Sequence, residues 1–326
     1  MQRLSTLLFT LLFVLLGFTV AFADEVAETS ETNVPKLGWV KDEQGNWYYY
    51  YEEDVKYIAP QSGITAFRKI DGYEYAFDAE GKMLYGWVDE YSTRQTDPDG
   101  WKNATYYLGG KDDGHKRTLQ WEKIRVLDYD QDDEYQEYWF YFTSLGKILK
   151  NQASGNYLEK TIKNQKYAFA DDGHMLSGFV DNSSEFATEY KYYSSPESGR
   201  RKANGWFKAL PTEEMSEYDY NADEYQTYYA KSNGTLACQE VLEIKGKKYL
   251  FDETCARVEG FVIVDIDYPS VIIPIDTKDT LEENLDSGIY YFASNGALKT
   301  GKFSVKLSGE TVKIETDENG RIVSVK

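Results

Sequence analysis

The chain has 326 residues, with 36 Lys and Arg against 55 Asp and Glu and a formal net charge of −19. Such acidity argues against nucleic acid as a partner, because binding a phosphate backbone needs a positive footprint. Two His and two Cys, with no cluster of either at metal-ligand spacing, argue against a zinc site, and no motif calls for a cofactor.

Residues 1–23 read as an export signal. Arg3 sits in a short n-region, an apolar run extends from Leu7 to Val20, and Ala21-Phe22-Ala23 supplies a small-x-small cleavage site before Asp24. Removing the signal, whose one basic residue is Arg3, leaves 303 residues with 35 basic side chains against 55 acidic ones. That portion keeps all 29 Tyr but only 17 Leu, and a core built on aromatic rings suits a sheet better than packed helices. Residues 24–36, polar, acidic and Pro-containing, read as a flexible spacer. No apolar run after the signal approaches the roughly 20 residues needed to cross a bilayer. The sequence to Lys326 shows no sorting tail, so the product is expected to be released or held non-covalently at a surface.

From residue 37 to 326 the chain is a series of related segments. Gly38 opens the first, GWVKDEQGNWYYYYEED. One family then begins at Ile70, Ile162 and Ile244; its second aromatics, Tyr75, Tyr167 and Tyr249, are spaced by 92 and 82 residues. A second family begins at Thr105, Lys191 and Ile289, and a third at Asp133 and Asp223. The order amounts to an opening unit followed by about three blocks of three. Within each unit aromatics alternate at i and i+2, then Asp172-Gly173, Asn233-Gly234 or Asn295-Gly296 supplies the positive φ of a tight turn, then a short apolar stretch follows. One such unit cannot bury its rings alone; stacked neighbours can. The expectation is an all-β, elongated solenoid of stacked β-hairpins, interrupted by polar insertions at 90–99, 128–134, 181–188, 211–223 and 263–286.

At Gly38-Trp39, WYYYYEED from Trp47, Gly86-Trp87, WFYFTSLGKI from Trp139, Gly205-Trp206 and YYFASNGALKTG from Tyr290, the pattern resembles the cell-wall-binding, or choline-binding, repeat of Gram-positive bacteria and their phages. The resemblance covers residues 37 to 305 as about nine degenerate copies. It implies a left-handed superhelix whose aromatic cages, between consecutive hairpins, take quaternary ammonium groups by cation–π attraction. Carried over, the GW tryptophan is Trp39, Trp87 and Trp206, with Trp121 in a Gln-Trp variant, and the first aromatic of WYYF stays tryptophan at Trp47 and Trp139. Elsewhere that position holds Glu74, Thr105, Lys166, Thr227, Lys248 or Ile289, and the GW ring becomes Phe179, Phe261 or Phe303.

Two pairs therefore keep both tryptophans, Trp39 with Trp47 and Trp121 with Trp139. Tyr75 or Phe77 is the third wall expected for the first, and Glu52, Glu53 and Asp54 are near enough in sequence to add negative potential. Solenoid packing and a ligand cage are both open for these tryptophans. Cys238 and Cys255, in an exported chain, permit a disulfide whose formation depends on a separation the sequence does not set. The acidic runs from Asp128 and Asp219 imitate half of a calcium loop. They hold Asp133 and Glu224 at the glycine position and Trp139 and Ala230 at the final glutamate position, so they read as solvated loops. No carboxylate pair stands out among so many, and no nucleophile or metalloprotease motif is present, so a non-catalytic chain is expected. Function is expected to be binding, at the cell wall, of a choline-bearing teichoic acid or glycan. The alternative is a protein-binding adhesin or scaffold on a solenoid that has lost choline.

Overall fold

A computed structural model describes residues 34–131, 135–151, 157–183 and 189–326. The export signal and nearly all of the acidic spacer lie outside the described residues. Among the described residues ten antiparallel hairpins follow one another. The first four pair Gly38–Lys41 with Trp47–Glu52, Arg68–Ile70 with Tyr73–Tyr75, Trp87–Val88 with Tyr106–Tyr107, and Gln120–Leu127 with Tyr135–Phe142. The next three pair Leu158–Ile162 with Gln165–Phe169, Gly178–Asp181 with Tyr190–Tyr193, and Gly205–Ala209 with Gln226–Ala230. The last three pair Glu240–Ile244 with Lys247–Phe251, Gly260–Val264 with Ile289–Phe292, and Lys302–Leu307 with Glu310–Thr316.

The period of two in a strand explains why both faces of each hairpin carry rings. In the first hairpin Trp39 lies opposite Tyr49, and Lys41 opposite Trp47. Trp39, Trp47 and Tyr49 face forward, where Trp39 meets Tyr75 and Phe77 of the second hairpin at ring-centroid distances of 4.9 and 6.2 Å. The same relation recurs at Trp87 to Phe140 (5.1 Å), Trp121 to Tyr167 (4.9 Å), Phe179 to Tyr228 (4.9 Å) and Trp206 to Tyr249 (4.8 Å). Behind these contacts a buried residue recurs at one repeat position, Phe77, Phe142, Phe169, Tyr193, Ala230, Phe251 and Phe292, each bridged to its own tail.

The Asp-Gly and Asn-Gly turns do something other than the sequence suggests. Gly173, Gly234 and Gly296 have φ of 96, 90 and 76° as expected, but they close only single bridges, Phe169 to Met175, Ala230 to Leu236 and Phe292 to Leu298. The long ladders instead join each Gly-Trp-type strand to the aromatic strand after it. The reason lies in where the tail after the turn sends its N–H groups. Met83 donates to the Trp47 carbonyl (2.7 Å), Lys116 to Glu74 (2.8 Å), Ile148 to Thr105 (2.8 Å), Met175 to Trp139 (2.8 Å) and Arg201 to Lys166 (2.9 Å). Leu236 then donates to Tyr190 (2.9 Å), Arg257 to Thr227 (2.8 Å) and Leu298 to Lys248 (2.9 Å). Eight successive rungs thus tie each tail to the preceding hairpin, and that is what stacks the repeats.

Cys238 and Cys255 are disulfide-bonded. Cys255 has φ 63°, so it stands where other turns hold a positive-φ glycine, and the bond staples the seventh tail to the eighth turn. The insertions pack onto the stack. Trp101, in a helical turn at Gly100–Asn103, is buried and donates its indole N–H to the Leu127 carbonyl at 2.7 Å. The strand Ile272–Ile275 adds a third member to the ninth hairpin. The calcium-like run from Asp128 is engaged by Lys102 (2.9 Å) and by the Tyr138 hydroxyl (2.9 Å), while 132–134 lie outside the described residues. In the second run Asp219 belongs to the short helix Glu217–Asn221, capped by Ser216. The last hairpin, extended by Ile322–Val325, keeps one ring in the stack, Phe303 on Tyr291 at 5.4 Å, and otherwise packs with Val312, Ile314 and Ile322, a largely aliphatic end.

Candidate aromatic cation sites

Trp39, Trp47 and Tyr75 converge on one open cleft of about 230 Å³, completed by Met83, Asp112 and Asp113. The tight EQGN connection fixes the first two: with Lys41 opposite Trp47, the indoles of Trp39 and Trp47 lie edge to face, 6.2 Å apart at 88°. Tyr75 closes the third side at 4.9 Å and 70° to Trp39. Phe77, the other residue considered for that wall, is buried behind Trp39 and does not line the cleft.

Trp121 and Trp139 form a second cleft of about 410 Å³ with Tyr167, Met175, Glu197, Ser198 and Arg200. The acidic insertion between the two tryptophans does not part them. The ladder runs without a shift from Gln120 opposite Phe142 to Leu127 opposite Tyr135, so Lys123 faces Trp139 as Lys41 faces Trp47. The insertion lengthens the hairpin beyond the site and leaves its register intact.

A carboxylate two hairpins further along the chain completes each cleft. The Trp47 indole N–H donates to Asp112 at 2.8 Å, and Asp112 also pairs with Lys41 at 2.6 Å. The Trp139 indole N–H donates to Glu197 at 3.1 Å, and Glu197 pairs with Lys123 at 2.7 Å. Hydrogen bonds from Lys41 and then Trp47 hold the Asp112 carboxyl below its usual range. Lys123 and then Trp139 do the same for Glu197, and Lys123 is in turn raised by Glu197 and Glu137. Burial, with Asp113 nearby, raises the Tyr75 phenol, so it stays neutral and ring-faced. Each cleft thus offers two indoles, a tyrosine, a thioether and an ionised carboxylate, which is the chemistry of a site for a soft, poorly hydrated cation.

The expected negative contribution from Glu52, Glu53 and Asp54 is displaced. Glu52 closes the strand that Trp47 opens, about 17 Å away at ~3.3 Å per residue, and the carboxylates at the cleft are Asp112 and Asp113. Sequence reasoning missed these, along with Glu197, Met83, Met175 and Tyr167. A signal existed for Tyr167, which occupies the place in its segment that Tyr75 occupies in its own. Of the remaining Gly-Trp tryptophans, Trp87 packs on Tyr107 and Phe140, and Trp206 repeats the geometry of Trp39 without a tryptophan partner across its hairpin.

Fold and site together define a stacked β-hairpin repeat protein with open aromatic clefts between its repeats. No protein-family model and no curated protein matches the chain. Among solved structures it is similar to the modular autolysin LytC of Streptococcus pneumoniae, at 18% identity over 89% of this chain and 47% of that one, with a TM-score of 0.47. The chain therefore spans about half the length of that autolysin. It is also similar to choline binding protein F of Streptococcus pneumoniae, at 16% identity over 79% of this chain and 92% of that one (TM-score 0.38). A third likeness is the choline binding domain of Spr1274 of Streptococcus pneumoniae, at 21% identity over 33% of this chain and all of that one (TM-score 0.22). Among the described residues no helix is long and apolar enough to cross a membrane.

Proposed function

We propose that this chain is a secreted, non-catalytic protein of a Gram-positive bacterium that attaches to the cell wall by seating choline groups of teichoic acid or glycan in the Trp39 and Trp121 clefts. One observation carries the reading: two clefts, in hairpins one and four, repeat the same five chemical elements in the same register. A trimethylammonium group over such rings gains about 0.5 to 2 kcal/mol per ring contact. Asp112 and Glu197 supply the opposite charge beside the rings.

A second reading is a protein-binding adhesin or scaffold. It draws on the tyrosines displayed on insertions, Tyr91, Tyr129, Tyr218 and Tyr268, exposed at 65, 55, 76 and 78%. Exposed rings of this kind are enriched where proteins meet. The test is sedimentation of the purified chain with Gram-positive cell walls, with and without excess free choline. Sedimentation reversed by choline supports wall attachment through the clefts. No sedimentation on choline-bearing walls overturns it and favours the protein-binding reading.

A further inference from the structure

The first, fourth and seventh hairpins form a series. Trp206 lies opposite Tyr229 as Trp39 lies opposite Tyr49, and Lys208 repeats Lys41 and Lys123. Trp206 meets Tyr249 at 4.8 Å and 64°, against 4.9 Å and 70° at Trp39 and 4.9 Å and 58° at Trp121. It also stacks on Phe251 at 5.8 Å, as Trp121 does on Phe169 at 5.6 Å. Two positions differ. Thr227 stands where Trp47 and Trp139 stand, and Arg257 stands where Met83 and Met175 line the open clefts. The register is not in doubt, since Arg257 makes the same tail rung, to the Thr227 carbonyl at 2.8 Å.

Arg257 turns its guanidinium over the Trp206 ring, 5.7 Å from the centroid. It is fixed there by the carbonyls of Asn295 (2.9 Å) and Ser294 (3.2 Å) and by the Glu259 carboxylate. The two carbonyls come from the turn that corresponds to the one carrying Asp112, and Glu259, two residues beyond Arg257 on the same tail, supplies the charge, so the third cleft has its own cation and its own counter-charge. The second hairpin does likewise with lysine. Lys116, at the same tail position, lies 4.5 Å from the Phe67 ring and pairs with Glu74 at 2.6 Å. Glu74 there occupies the Trp47 position.

We propose that Arg257 is a built-in cationic occupant of the third cleft, so that the chain presents two quaternary-ammonium sites and holds a third, latent one behind Arg257. The side chain at the tail rung sets the outcome: methionine leaves the Trp39 ring facing an open cleft, with Lys41 set instead over Trp47 at 5.1 Å, whereas arginine or lysine covers the corresponding ring from within. The proposal rests on the cation-binding reading above for the ligand class, and on Trp206 and Arg257 alone for the plug.

Isothermal titration of the full chain with choline chloride tests it, comparing wild type with Arg257→Met/Thr227→Trp, each shown folded by circular dichroism. The expected stoichiometries are two and three. A wild type that binds none while the variant binds one overturns the proposed function and leaves the plug standing. Two sites in both proteins overturns the plug and leaves the function standing, and three sites in the wild type overturns the plug as well. Should the double variant not fold, the wild type carries the test through the side-chain Nε–H resonance of Arg257, read by NMR. A resonance that moves when Trp206→Ala removes the ring supports the plug; one that stays in place overturns it.

Discussion

The indole N–H of Trp47 donates to Asp112 at 2.8 Å, although 65 residues and a whole intervening hairpin separate them. The contact arises because the turn of the third hairpin folds back over the first cleft, so three consecutive repeats build one site. Asp112 fixes the plane of the Trp47 ring and sets an ionised carboxylate beside it. Asp112→Asn keeps the shape and removes the charge, and is expected to weaken choline binding at the first cleft about two- to tenfold, more at low ionic strength. Calorimetry at two salt concentrations checks this; an unchanged affinity means the carboxylate serves only the Lys41 pair. Because Lys41 and Trp47 hold the Asp112 carboxyl below its usual range, that contribution should persist from neutral pH down past the ordinary carboxylate range and fade only below it.

Trp39→Ala and Phe261→Ala should separate binding from packing. Trp39 is half-buried at the mouth of a cleft, and losing one ring there should cost about 0.5 to 2 kcal/mol of binding, up to about thirtyfold in affinity. Phe261 is buried against Ile275, Ile289 and Ile314. Its truncation should leave choline affinity alone and lower unfolding stability by about 3 to 5 kcal/mol. Choline titration and urea unfolding of both variants give the comparison. Equal binding losses in the two would show the tryptophans to be packing residues.

What the sequence discloses about the site is what lies within one hairpin or at one repeat's remove. Trp39 with Trp47 and Trp121 with Trp139 are legible because a strand ladder carries register faithfully, even past an insertion, and Tyr75 because the repeat period places it next in the stack. Asp112 and Glu197 are not legible. Their position depends on how far each repeat rotates over the last, and side-chain alternation does not encode that rotation. The tail residues were hidden for a related reason. Met83, Met175 and Arg257 look like the weak second half of a turn, and only the rung each makes to the preceding hairpin reveals that they stand inside the clefts.

The Cys238–Cys255 bond encloses a loop with a sequence separation of 17, and ties the seventh repeat to the eighth. Constraining the unfolded chain over a loop of that length is worth about 3 kcal/mol. Cys238→Ser/Cys255→Gly should lose less than reduction does, because glycine relieves the positive φ that Cys255 holds at 63°. Chemical unfolding of the oxidised, reduced and doubly substituted chains gives the order. A reduced form as stable as the oxidised one would place the bond outside the cooperative unit.

Glu159 is a polar counterpart of the aromatic pairs, set in the fifth hairpin where the first carries Trp39. It accepts from Lys166 (2.7 Å), Arg201 (3.0 and 2.9 Å) and the Tyr193 hydroxyl (3.0 Å), with Lys191 at 3.7 Å. Burial works to raise its carboxyl, but the hydrogen bonds from Lys166, Arg201 and Tyr193 outweigh it and lower it from 4.5 to about 2. A carboxyl depressed on folding stabilises the folded state at pH values above its unfolded value. That contribution is fully present above pH 4.5 and is lost as pH falls towards about 2. Solvent screening of this partly exposed carboxyl trims the ~3.4 kcal/mol that the full lowering implies to on the order of 2 to 3 kcal/mol. Glu159→Gln should therefore destabilise the chain at neutral pH, where it leaves Arg201 buried without its counter-charge, and the gap to wild type should shrink as pH falls from 4.5 to about 2. Urea midpoints measured from pH 7 to pH 2 decide the matter, and a difference independent of pH would mean that Glu159 stabilises the stack by shape and neutral hydrogen bonding alone.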